Sequence, residues 1–239
     1  MTARYVKACI NGARPPDQHP NLPVSPEQLA ATAVAVHRAG ADAVHMHPKT
    51  PDGVDSLEPD IVGAAVAAVR HALPGLPLGV TTGYWALPDA EARLQKVSAW
   101  RELPDFASVN WHEPGSEALA EQLLSRGIGV EAGIFHAQAA AAWAASELAP
   151  HCLRVMIELG ADGDTATADE LIRQIKAVGS PAPVLLHGLD ESCWPLLQHA
   201  GVHGLQTRIG LEDTVRLPDG STPRDNAELV TTALGLLSR

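Results

Sequence analysis

The stretch Ala43-Val44-His45-Met46-His47-Pro48 (AVHMHP) follows the helix-stop signal Ala39-Gly40 and runs into the turn-rich Lys49-Thr50-Pro51-Asp52-Gly53. A short apolar run that ends on proline and a turn reads as a buried strand. In a strand, residues i and i+2 share a face, so His45 and His47 project to one side and Met46 to the other. The same reading extends from residue 41 to 47, and seven more runs of this kind lie at 5–11, 78–82, 106–111, 128–134, 153–158, 184–187 and 204–209. Longer, alanine-rich segments of helical period separate them.

Local signals mark the helix ends. Ser25-Pro26-Glu27-Gln28 offers an N-cap with proline in the first turn, and Gly115-Ser116-Glu117 and Asp190-Glu191 open two further helices. Ala39-Gly40, Arg126-Gly127 and Ala200-Gly201 each place glycine where a helix can stop in a left-handed turn. Strand and helix thus alternate about eight times, the order expected of an α/β chain folded as a (β/α)8 TIM barrel, with residues 1–239 as a single domain. A doubly wound open sheet is the alternative. No GxGxxG or P-loop pattern follows the first strand, so nothing in the sequence favours its nucleotide-binding form.

Composition narrows the function. Of 239 residues, 46% are hydrophobic and 19% charged, which suits a compact folded chain. A formal charge of −11 disfavours nucleic acid and anionic membrane as partners, because both select basic surfaces. Cys9, Cys152 and Cys193 are odd in number and far apart, so neither a disulfide framework nor a cysteine zinc site is expected. The first residues lack the apolar core of a signal peptide, and no run has the ~18 apolar residues of a membrane span. These features predict a cytoplasmic protein.

Barrel active sites are built at the C-terminal ends of the strands. Polar residues collect there: Asn11, His45, His47, Thr81, Thr82, Ser108, Asn110, Glu131, Glu158, His187 and Arg208, followed by Glu212 and Asp213. Burying such groups for packing alone is costly. An inward His45/His47 pair suits a divalent metal, given a third protein ligand and an open position, although core histidines satisfied by neighbours are the plainer alternative. In Thr207-Arg208-Ile209-Gly210-Leu211-Glu212-Asp213, a strand-end cation and two adjacent carboxylates can supply an oxygen ligand and a general base, or form only a loop ion cluster. Ser108 and Asn110 share a strand face from which both can hydrogen-bond a substrate. His112 and Glu113 are spare ligand candidates, most remaining histidines, His19 among them, read as solvated, and Trp100, Trp143 and Trp194 read as helix-to-sheet packing.

Taken in order, Asn11-Gly12-Ala13, His19-Pro20-Asn21-Leu22-Pro23-Val24-Ser25-Pro26-Glu27, His45-Met46-His47 and Arg208-Ile209-Gly210-Leu211-Glu212-Asp213 resemble the β-keto acid cleavage enzyme family across nearly the whole chain. The resemblance implies a zinc-dependent barrel, usually a homo-oligomer, that reacts a β-keto acid with acetyl-CoA to give acetoacetate and a new acyl-CoA. It implies His45, His47 and Glu212 as metal ligands and Asp213 as base, supported by Arg208 and Glu131. Thr82 and Ser108 occupy positions comparable to the family's substrate-contacting hydroxyls. Two positions depart from the better-known members, which are also longer: Arg14 stands where they have glutamate, and Pro48-Lys49 where they usually have arginine and an acid. Arg14 and Lys49 are therefore expected to favour an additional anionic group on the substrate. The rival readings are a metal-dependent barrel hydrolase and a catalytically silent protein that binds a keto acid.

Overall fold

The computed structural model describes residues 4–238. Eight strands alternate with eight helices among these residues: β1 (Val6–Cys9), α1 (Pro26–Arg38), β2 (Ala43–Met46), α2 (Pro59–Ala72), β3 (Leu78–Thr81), α3 (Ala90–Ser98), β4 (Phe106–Asn110), α4 (Ser116–Ser125), β5 (Gly129–Ile134), α5 (Ala137–Ala145), β6 (Arg154–Leu159), α6 (Thr165–Ala177), β7 (Val184–Gly188), α7 (Cys193–Val202), β8 (Thr207–Ile209) and α8 (Asn226–Leu237). All neighbouring strands are parallel, in the order β7-β6-β5-β4-β3-β2-β1-β8. A parallel bridge between Leu185 and Gln206 joins the two ends of that order, so the sheet closes as a (β/α)8 barrel.

The helix signals act much as expected. Ser25 caps α1, its hydroxyl accepting the Gln28 N–H while the Gln28 side chain accepts the Ser25 N–H, a capping box that satisfies both ends of the first turn. The stop assigned to Gly201 falls one turn later: α7 continues to Val202, and Gly204 takes the left-handed conformation at φ 64°. Gly201 instead makes room for packing, since a Cβ there would come within 2.6 Å of the Leu237 side chain.

Two chemically different interiors result. Outward-facing strand residues such as Val44, Met46, Val80, Val109, Ile157 and Leu186 pack against the helices, with Trp100, Trp143 and Trp194 in the same apolar layer. Each such fully buried aliphatic side chain contributes roughly 1.5–3 kcal/mol of burial free energy. The barrel lumen is different, for it holds Lys7, Glu131 and Arg154 beside Phe106 and Met156. The polar C-terminal mouth lies above these groups.

Candidate active site

His45 ends the inward face of β2, in register with Cys9 of β1, and His47 follows two residues later. Met46 faces the apolar layer, so the alternation read from the sequence holds. The Nε2 atoms of His45 and His47 converge on Glu212 Oε2, at 3.9 and 3.7 Å. Glu212 comes from the loop after β8, and the chain fold there depends on two glycines. At Gly210 a Cβ would lie 1.8 Å from the Cys9 carbonyl oxygen, and at Gly12, φ 61°, it would lie 2.3 Å from Glu212 Cγ. Any larger residue at either place pushes the β8 loop off β1. The Glu212 N–H donates to the Cys9 carbonyl across this contact, at 3.2 Å.

The donor set fits a divalent metal. Burial holds His45 far below the ordinary imidazole pKa, outweighing Glu212, so it is neutral and able to ligate. Burial opposes ionisation of Glu212, yet Arg208, His47 and His45 together draw it well below the usual carboxylate range. Its Oε1 accepts from Arg208 Nη2 at 2.8 Å, whereas Oε2 is buried without a partner. That orphaned oxygen points where the two imidazoles meet. His47 Nδ1 contacts Asp55 Oδ2 at 2.6 Å, which orients the ring and leaves Nε2 for a ligand.

Asp55 escaped the sequence reading. It also accepts from Trp85 Nε1 at 2.9 Å and pairs with Lys49, and the Trp85 ring stacks on His47 with centroids 5.9 Å apart. An isolated antiparallel bridge between Lys49 and Asp55 folds the 49–55 turn back on itself. Lys49 is consequently buried against Asp55 and borders a neighbouring groove between α1 and α2, not the cleft where a substrate anion was expected to meet it. That groove is larger, at about 840 Å³, but contains no comparable convergence of donors.

The cleft above the site encloses about 380 Å³ and is bordered by Arg14, Gln18, His47, Trp85, Glu158, Asp190, Arg208 and Glu212. Arg14 reaches it, with its charge shared: it lies 2.5 Å from Asp190 and donates to the Glu212 carbonyl at 3.0 Å. Asp190 holds φ 46°, a left-handed conformation rare for aspartate, and its N–H donates to the Asp213 carbonyl at 2.7 Å.

Asp213 lies fully buried beneath this cleft. Arg208 donates to its Oδ1 through Nε and Nη2, at 3.0 and 2.6 Å, while Oδ2 has no partner. Burial pushes its carboxyl pKa up, with Glu212 adding to that shift and Arg208 and His187 opposing it. His187 spans Asp213 Oδ1 and Glu158 Oε2, at 3.5 and 3.2 Å. Burial acts against ionisation of Glu158, but His187, Arg208 and His47 bring it to about 2. His187 and Glu158 stood out in the sequence only as polar strand ends; their direct contact required the closed barrel.

The remaining candidates lie apart. Glu131 was expected beside Asp213. It lies instead in the lumen against Lys7 at 2.5 Å and Arg154 at 2.9 Å, because inward positions on β5 and β6 meet there in register. Thr82 donates to the Ser108 carbonyl at 2.6 Å, and Ser108 projects from β4 alongside Glu131. Asn110 donates to Glu113 at 2.7 Å, and Glu113 in turn accepts from Arg93 and from the Tyr84 N–H, so these residues brace the loop that carries Trp85. His19 is buried, with Nε2 2.8 Å from the Pro223 carbonyl, and it ties the segment before α1 to the segment before α8.

Fold and site together define a parallel-barrel protein with a two-histidine, one-carboxylate candidate metal centre at the catalytic mouth. The profile of the beta-keto acid cleavage enzymes matches residues 4–239, and the chain belongs to this family of carbon–carbon bond-cleaving enzymes. It is 23% identical to the 3-keto-5-aminohexanoate cleavage enzyme of Acetoanaerobium sticklandii over 96% of this chain and 90% of that one. The enzyme of the same name from Fusobacterium nucleatum is also 23% identical, with 96% and 89% covered. A solved ternary complex of ObcA with a C4-CoA adduct and oxalate shares the fold, with a TM-score of 0.69 at 18% identity; 92% of this chain matches 64% of that one. Among the described residues, no helix is long and apolar enough to cross a membrane.

Proposed function

We propose that the chain condenses a β-keto acid with acetyl-CoA and cleaves the product to acetoacetate and a new acyl-CoA, with zinc held by His45, His47 and Glu212. The observation that carries this reading is the orphaned Glu212 Oε2 facing two Nε2 atoms, beside the buried, half-free Asp213. Zinc, when bound, supplies positive charge that polarises the keto group and stabilises developing negative charge.

The chain's own residues handle the proton. In this scheme Asp213 accepts it from the carbon between the keto and carboxylate groups, through His187 and Glu158, which link the buried acid to the cleft. That carbon attacks the thioester carbonyl and expels the coenzyme thiolate. The thiolate then adds to the original keto carbon, the adjoining carbon–carbon bond breaks, and the proton returns to the departing carbon. The products are acetoacetate and a matching acyl-CoA. Arg208 fixes Asp213 and Glu212 at once, which keeps base and ligand in one geometry. Arg14 supplies specificity at the cleft wall for a substrate that carries a further polar or anionic group. Thr82, Ser108 and Asn110 act less directly, by holding the β3 and β4 ends, and Glu131 holds Lys7 beneath the site.

This reading extends to a single-domain homo-oligomer working in the cytoplasm on small-molecule substrates. His187 offers the hydrolase alternative its extra ligand, but it pairs with Asp213 and Glu158 and does not join the His45–His47–Glu212 group. The test is mass spectrometry of purified protein, assayed for zinc and incubated with acetyl-CoA and a panel of small β-keto acids. Acetoacetate with a matching acyl-CoA is expected. Keto-acid loss that does not depend on the coenzyme would replace the proposal with the hydrolase, and binding without turnover would replace it with the sensor.

A further inference from the structure

A second group of metal-type donors lies on the outer helices, away from the barrel mouth. Asp169 is on α6, His199 is on α7, and His203 caps the C-terminus of α7. Residues four apart on a helix lie on one face, one turn from each other, which places both imidazoles together. Their ring centroids are 4.3 Å apart. His199 Nε2 lies 2.8 Å from Asp169 Oδ1, and His203 Nε2 approaches the same oxygen at 3.7 Å. Three donor atoms from two helices thus fall within 4.8 Å of one another.

A helix-to-helix hydrogen bond accounts for His199 alone. It does not account for His203, whose nitrogen is turned toward an oxygen beyond hydrogen-bond range. One shared cation accounts for both rings. Two imidazoles and a carboxylate are a donor set for zinc, nickel or copper, and solvent can complete the shell because Asp169 and His203 are exposed at 49% and 39% of their side chains. The position favours a cation in two further ways. It lies at the C-terminal, partially negative end of α7, and the chain carries a net charge of −11.

We propose that Asp169, His199 and His203 form a second divalent transition-metal site, independent of the catalytic one, that fastens α6 to α7. Binding at His199 Nε2 displaces the hydrogen bond to Asp169, and the neutral ring then carries its N–H on Nδ1.

The experiment is calorimetric titration of metal-stripped protein with zinc alone, with elemental analysis after desalting. The wild type is expected to bind two equivalents, His199→Ala one, and His47→Ala one. The double variant H47A/H199A should bind none. Asp169→Asn, which keeps the shape of the side chain, should weaken the second equivalent by more than the roughly 10–100-fold typical of losing an outer hydrogen-bond partner. Zinc should also raise the melting temperature of His47→Ala but not of H47A/H199A. Equal zinc content in wild type and His199→Ala overturns the proposal, as does a single equivalent that disappears with His47→Ala. A single equivalent lost with His199→Ala but kept in His47→Ala supports the outer site and removes zinc from the catalytic reading.

Discussion

Two clusters of buried charge occupy the same barrel, one above the other, and they differ in whether every carboxylate oxygen faces an opposite charge at close range. The lower one pairs Glu131 with Lys7 and Arg154, and the Arg154 guanidinium lies 4.4 Å from the centroid of the Tyr5 ring. Lys7, Glu131 and Arg154 line neither of the clefts described above. In the upper one Arg208 faces Glu158, Glu212 and Asp213, while Glu212 Oε2 and Asp213 Oδ2 remain without partners near a 380 Å³ cleft. Charge content alone does not separate the two. A buried ion group with its charges opposed is a packing element, whereas one with oriented spare lone pairs beside a cavity is equipped for chemistry.

The largest expected effect comes from the upper cluster. Asp213→Asn keeps the shape and an oxygen for Arg208 but removes the proton acceptor, so turnover should fall by roughly 10²–10⁴-fold. Metal content should stay at the wild-type level. Full activity in this variant would end the distinction drawn between the clusters, since Asp213 is the group assigned to the chemistry.

Glu131→Gln tests the lower cluster and should act on stability first. Removing its charge leaves Lys7 and Arg154 buried without a counter-ion, a loss of about 3–5 kcal/mol by analogy with broken buried pairs. Denaturant unfolding measures this directly. A variant of unchanged stability but lost activity would transfer Glu131 to the catalytic group, where the family resemblance first placed it.

The smallest effect is a titration. Burial raises Tyr5 from 10.0 to about 12, although Arg154 pulls the other way. The unfolded phenol ionises first, so this contribution to stability is intact below pH 10.0 and declines as the pH rises toward about 12. Phenolate absorbance should show one tyrosine resisting ionisation until that range, and Tyr5→Phe should abolish the late step. Ordinary titration of Tyr5 would mean that the lower cluster is open to water.

Local rules carried much of this far. The H-x-H pair was legible because strand periodicity dictates side, and Glu212 and Asp213 because they follow a strand-end arginine at close spacing. The barrel itself was legible in the alternation of short apolar runs with capped helices. Nearness to His47 along the chain places Lys49 at the cleft in the sequence, whereas in the fold a turn closes and Asp55, eight residues after His47, pairs with the lysine.

Sequence alone therefore determined the alternating elements, the face on which each strand residue lies and the identity of the polar strand ends, all consequences of backbone geometry over a few residues. Tertiary structure decided the pairings: Asp55 with His47, His187 with both Glu158 and Asp213, and Glu131 with Lys7 instead of Asp213. These depend on register between strands and on how far the β8 loop comes down over Gly12. Buried charges act over a few ångströms of three-dimensional distance, which separation along the chain does not measure.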